Sequence, residues 1–163
     1  MKSMIFSKLR CFISHEKGAA LAELAILVPF LILMVAAVAE FGRFFQNYTT
    51  ISKGTRSAAR YLSNHKYDVD SQAAARNIVV CGKLTCAGGD ALVPGLSTAN
   101  VCIETTGTPR IETFTVSLPR VSGGGCGAPL NYTPWFNIGA LLNTGFTFTP
   151  AISPSTTMYN MLD

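Results

Sequence analysis

Residues 18–45 read GAALAELAILVPFLILMVAAVAEFGRFF, and this stretch decides the architecture. Leu24–Ala39 holds sixteen consecutive residues without a charge, and the run extends back to Gly18 with Glu23 as its sole interruption. Twenty-two residues of helix, Gly18–Ala39, cover roughly 33 Å at about 1.5 Å per residue, enough to cross a bilayer. Pro29 lacks a backbone donor and is expected to bend or loosen one turn, which membrane helices tolerate when neighbours cover the freed carbonyl.

The helical pattern outlasts the apolar run. Phe41, Phe44, Phe45, Tyr48, Ile51, Thr55, Ala58, Ala59 and Leu62 recur at spacings of three and four and form one stripe. Arg43, Gln46, Asn47, Thr50, Lys53, Ser57 and Arg60 fill the rest of the circumference, and Gly42 and Gly54 are expected to bend the rod. A helix from about Ala19 to Leu62 is therefore too long for lipid alone, and its second half must offer the stripe to its own domain or to a partner.

Charge fixes an orientation. Met1–Lys17 carries Lys2, Lys8, Arg10 and Lys17 against Glu16, a balance of +3, and the remainder carries nine basic and eight acidic groups, a balance of +1. The basic leader keeps the N-terminus on the cytoplasmic side. A nearly neutral body excludes a broad phosphate-binding face, so no nucleic acid is expected as a partner.

Beyond residue 66 a small α+β domain is expected. Asp68 and Asp70 supply capping chemistry before SQAAARNIVV, a short helix. Asn100–Thr106 and Arg110–Leu118 read as strands joined by a turn at Thr106–Pro109, with an apolar face from Phe114 onward. Val121–Pro129 reads as a loop, Trp135–Leu142 as a short helix and Thr144–Thr149 as a further strand. Trp135, Phe136, Phe146 and Phe148 are expected to pack in the core, with interface anchoring as the alternative. The fold class is thus α+β: a long N-terminal membrane-spanning helix extending into a small exterior domain with a short helix and antiparallel strands.

Five cysteines occur at 11, 81, 86, 102 and 126. Removing a leader that contains Cys11 leaves four, which in an exported domain read as two disulfides with three possible pairings. Cys81–Cys86 with Cys102–Cys126 is the pairing nearest in sequence; four free thiols are the alternative. Neither His15 nor His65 belongs to a spaced Cys/His cluster, so no metal or other cofactor is expected. No nucleophile–base pairing stands out, and Gly123-Gly124-Gly125 lacks the Lys-Ser/Thr of a phosphate loop. Enzymatic catalysis is not expected.

Glu23 is the sharpest local feature, because a carboxylate inside an apolar helix must be neutralised, paired or kept near the interface. Cleavage between Gly18 and Ala19 would create an α-ammonium four residues before it. In helices packed side by side, the glutamate of one subunit can meet the new amino group of its neighbour. A glutamate snorkelling to the membrane surface is the simpler alternative.

With its Lys17–Glu23 sequence KGAALAE followed by the hydrophobic run, the segment resembles the class III signal sequence of type IV prepilins and pseudopilins. Through GAALAELAILVPFLILMVAAVAEFGRFF and TRSAARYLS it is similar to the TadE family of the tight-adherence (Tad/Flp) pilus assembly system. The resemblance covers Lys17–Leu62. It implies processing by a membrane prepilin peptidase, with Gly18 the last leader residue, Ala19 the first mature residue and Glu23 the assembly glutamate. It also implies a non-enzymatic role, with other pilins or pseudopilins, inner-membrane pilus assembly proteins and the lipid bilayer as partners. The setting it implies is the bacterial inner membrane, with the C-terminal domain outside the cytoplasm. Major pilins of this system are usually much shorter and carry tyrosine after the glutamate. Leu24 and an exterior region of roughly 100 residues therefore favour a pseudopilin or minor subunit.

The expected organisation is a leader at 1–18, a membrane helix at 19–40, its exterior continuation at 41–66 and the α+β domain at 67–163. Candidate interface residues are Phe41, Arg43, Phe44, Arg56, Arg60 and Tyr61, whose arginines can meet lipid headgroups or partner carboxylates, or simply face water. Two other processing readings remain open. Ala37-Val38-Ala39 resembles an ordinary signal peptidase site that would release a protein beginning at Glu40, and an uncleaved chain would be a plain single-pass anchor with an exterior binding domain.

Overall fold

The computed structural model describes residues 16–107, 113–119, 126–136 and 149–162, with the side chains of 16, 17 and 19 left aside. The basic leader up to residue 15 lies outside these residues. So do all but the last residue of the expected strand at 144–149 and most of the expected helix at 135–142. The chain divides into two compact units, Met1–Phe41 and Gly42–Asp163.

One α-helix, α1, runs Glu16–Ser63 without interruption at Pro29, Gly42 or Gly54. In the first unit its apolar side chains have no protein cover. An 18-residue window of mean hydropathy 2.6 is 0% buried, making this helix long and apolar enough to cross a membrane.

The second unit is built on the remainder of α1. Ile51, Thr55, Ala58, Ala59 and Leu62 are fully buried, as the three-and-four spacing predicts, and Phe44 packs against the same core. The stripe is narrower than the sequence suggested, because Phe45 and Tyr48 remain exposed. On the helix wheel Phe45 lies roughly 100° from the line through Phe44, Ile51, Thr55 and Leu62, while Tyr48 falls within the stripe and is exposed all the same.

Helix α2, Val69–Cys81, follows after a short turn. Its start is fixed by a capping box: the Asp68 carboxylate accepts from the Ser71 backbone N–H at 2.7 Å, and the Asp68 N–H donates to Ser71 Oγ at 3.0 Å. These bonds hold the Asp68 carboxyl below its ordinary range. The helix ends at Gly82, whose left-handed backbone (φ 70°) lets its N–H close on the Ile78 carbonyl at 3.0 Å.

Close approach of α1 and α2 depends on Gly54. A Cβ added there would lie 3.1 Å from the Val79 carbonyl oxygen and 3.2 Å from the Val79 Cα, both backbone atoms that cannot swing aside. Glycine at this position is therefore a contact surface between helices.

A 3-10 turn, Thr98–Asn100, leads into a three-stranded antiparallel sheet in the order β1 (Cys102–Thr106), β2 (Thr113–Ser117), β3 (Ser155–Tyr159). The expected strands at 100–106 and 110–118 are present in shortened form. Phe114, Val116 and Leu118 are buried, giving the apolar face that their alternation predicts. Register places Ile103 opposite Val116 and Phe114 opposite Met158, so these residues share the inward face. Thr55 Oγ1 and Thr156 Oγ1 lie 3.2 Å apart, tying β3 to α1. Past β3, the Met161 N–H donates to the Ser63 carbonyl at 3.0 Å, satisfying an acceptor at the end of α1.

Strand β3 was not expected from the sequence. Trp135 and Phe136 also depart from expectation: they are 75% and 54% exposed, not in the core. Leu130, Tyr132 and Ile152, beside a short antiparallel bridge from Asn131 to Ala151, are the residues of this region that are buried.

Gly54→Val should destabilise the folded chain by about 1–3 kcal/mol through overpacking against α2. Gly42→Ala, where nothing lies within 4 Å of the added Cβ, should be neutral or stabilising, since alanine favours helix. Thermal unfolding in detergent micelles compares the two, and equal loss in both variants would contradict the contact. A second expectation concerns pH. A carboxyl with a lowered folded pKa contributes stability above the ordinary value of 3.8 and loses it as pH falls through the folded value. Amide exchange in the first turn of α2 should therefore speed up on acidification, and Asp68→Asn should flatten that dependence.

Candidate assembly segment

The residues that sequence pattern singles out fall into three groups in space. Gly18 and Ala19 lie in the first turns of α1, and Gly18 is exposed. Glu23 is exposed on the same helix, four residues after Ala19 and thus on the same side of it. Its helical neighbours Leu21, Leu24, Ile26 and Leu27 are 48–77% exposed. The carboxylate is therefore set in an apolar surface that is uncovered among the described residues.

A second group lies on α1 near the unit boundary. Phe41 is 67% exposed. Phe44 is half-buried and meets the Tyr132 ring edge-on, with centroids 5.4 Å apart. Arg43 carries its guanidinium 3.5 Å from the centroid of the Trp135 ring, a cation–π contact between distant segments. Sequence reasoning placed Arg43 among the candidates but missed this partner, for no local pattern links residues 43 and 135.

The third group sits at the C-terminal end of α1. Arg56 and Arg60 are exposed, on the side of the helix opposite Ile51, Thr55 and Leu62. Tyr61 is half-buried and stacks on the His65 ring at 3.9 Å, while His65 Nδ1 lies 2.8 Å from the Tyr61 carbonyl oxygen. Arg60, Tyr61 and His65 line a shallow groove of about 560 Å³ with Ile78, Lys83 and Leu84. Lys83 in turn pairs with Asp90 at 3.0 Å.

Two disulfides, Cys81–Cys86 and Cys102–Cys126, staple the domain. The first closes the loop beyond α2, where Asn77 Nδ2 also donates to the Leu84 carbonyl at 2.9 Å. The second ties the start of β1 to the segment before Leu130. Cys102, Glu104 and Cys126 form the one cluster with metal-ligand types among the described residues. Two of its three members are joined to each other, and disulfide sulfurs are not the thiolates that metals require. With no thiolate to bind metal or attack a substrate, this group is structural.

These features describe a chain in which one long apolar helix continues into a disulfide-stapled α+β domain. Residues 18–60 match the family model described as TadE-like protein, so this part of the chain is similar to that family. That match takes in Gly18, Glu23, Arg43 and Arg60, and ends before the domain's sheet begins. No curated protein and no solved structure matches the chain.

Loop length ranks the two staples. The Cys102–Cys126 bridge spans 24 residues and should contribute about 3.5 kcal/mol, against about 2 kcal/mol for the 5-residue Cys81–Cys86 bridge. Paired Cys→Ser variants unfolded by urea in micelles should show the larger loss for 102/126. A larger loss for 81/86 would show that chain entropy is not what these bridges supply.

Proposed function

We propose that this chain is a pseudopilin or minor pilin of the Tad/Flp pilus, acting without catalysis by lateral packing of its N-terminal helix after leader removal. The observation that carries the reading is Glu23, a single exposed carboxylate on an uncovered apolar helix that opens at a Lys17-Gly18-Ala19 junction within the TadE-like match.

The mechanism follows from charge and solvent. A basic leader stays on the cytoplasmic side while the apolar span inserts and carries the domain across. A prepilin peptidase then cuts between Gly18 and Ala19, and the new α-ammonium provides a cation that the apolar surface otherwise lacks. In a side-by-side array, Glu23 of one subunit pairs with Ala19 of the next. Inside lipid that pair is strongly favoured over two separated charges, so it sets the axial offset between subunits. The partners are the peptidase, other pilins or pseudopilins, inner-membrane assembly proteins and the bilayer itself; nucleic acid has no place in this scheme. The protein then resides in the bacterial inner membrane with its domain outside the cytoplasm, and the disulfides suit such an oxidising compartment.

N-terminal sequencing of the membrane-bound product should return Ala19. Glu40 would establish release by signal peptidase, and Met1 an uncleaved anchor. Gly18→Phe should leave the leader attached. Glu23→Ala should insert normally and assemble poorly, whereas normal pilus formation at normal protein levels would remove the carboxylate from the mechanism.

A further inference from the structure

We propose that the Trp135–Phe136 tip of the domain, held by Arg43, is a lipid-docking element that seats the domain in the headgroup layer of the bilayer. The inference rests on the membrane-span reading and adds to it a surface that the TadE-like match does not reach.

Three observations converge. The tip presents its aromatic side chains outward: Trp135 is 75% exposed and Phe136 54% exposed, although both are among the largest apolar side chains of the domain. Folding has therefore left unburied two groups that a soluble domain would cover. Second, the tip is tied to α1 close to the end of the charge-free run. The Arg43 guanidinium sits 3.5 Å from the Trp135 ring centroid, so the indole lies beside residue 43 of α1. Arg43 is four residues past Ala39, the last residue of the charge-free run, and four residues reach at most about 14 Å even fully extended, or about 6 Å as helix. The polar layer on each side of a bilayer is itself about 5–7 Å deep. Trp135 therefore meets α1 within four residues of the end of the charge-free run.

Third, approach to lipid meets no charge penalty from this part of the chain. Between Arg120 and Asp163 the sequence contains no Asp, Glu, Lys, Arg or His. Arg43, which holds the tip, is a cation, and a cation suits anionic headgroups. Indole has the same preference, with an apolar body and one N–H donor, and tryptophan concentrates at membrane interfaces for that reason. A second protein chain would also bury an exposed indole, but nothing fixes its level beside Arg43, whereas the membrane is already within reach.

Trp135 is the sole tryptophan of the chain, so intrinsic fluorescence reads this site alone. The full-length protein, with its disulfides intact, is reconstituted into vesicles of equal parts phosphatidylethanolamine and phosphatidylglycerol. Emission should be blue-shifted, and quenching by lipids brominated near the headgroup end of the acyl chain should be about twofold stronger than by lipids brominated at the chain end. Arg43→Ala should weaken the shallow quenching while leaving the protein resistant to carbonate extraction. Emission typical of water, with full access to aqueous iodide, would overturn the proposal. So would protection from both quenchers, which means cover by protein, or strongest quenching from the chain ends, which means deep burial. Loss of carbonate-resistant association would instead remove the membrane span, and the docking with it.

Discussion

Twelve large apolar side chains of α1 between Leu21 and Val38 stand 37–77% exposed, and water is not a tolerable neighbour for them. Covering that surface is worth on the order of 10–20 kcal/mol, as much as the entire net stability of an ordinary domain. Among the described residues nothing covers that surface, as suits a helix long and apolar enough to cross a bilayer. Every other property of the molecule is arranged around this demand. The same backbone continues past Phe41 into a protein core, where Ile51, Ala58, Ala59 and Leu62 are fully buried.

Two solvents along one helix call for two kinds of side chain. In the span, bulk and branching face outward on all sides, because lipid accepts any apolar shape. In the domain, small residues are selected on one side, and Gly54 brings the α2 backbone within reach of α1. The disulfides then close loops in a domain whose core is small for its length, and the capping box at Asp68 fixes where α2 begins.

What could be read in advance follows from the range of the interaction involved. Length and periodicity declare α1, and alternation at Phe114, Val116 and Leu118 declares β2, because both patterns are local. The two bridges were the pairing nearest in sequence. Strand β3 left no such trace. Ser155-Thr156-Thr157-Met158-Tyr159 carries one large inward-facing apolar residue, Met158, and is held by pairing with a strand some forty residues away and by Thr156 against Thr55. Gly54 reads as a weak point in a helix until a second helix is known to lie against it. Trp135 and Phe136 read as core by chemical type, yet they are exposed while Leu130, Tyr132 and Ile152, beside the Asn131–Ala151 bridge, are buried. At the proposed assembly segment the order is reversed: Gly18, Ala19 and Glu23 are conspicuous in sequence, while the Arg43–Trp135 contact is visible only in three dimensions.

Peptide-resolved amide exchange of the full-length protein in lipid nanodiscs tests the two-solvent helix most directly. Residues 20–39 and 51–62 should both be protected. Reducing the disulfides in mild denaturant should release 51–62 together with the sheet and leave 20–39 protected by lipid. Rapid exchange across 20–39 in intact nanodiscs, or loss of both segments in a single step, would contradict the division of α1 between membrane and domain.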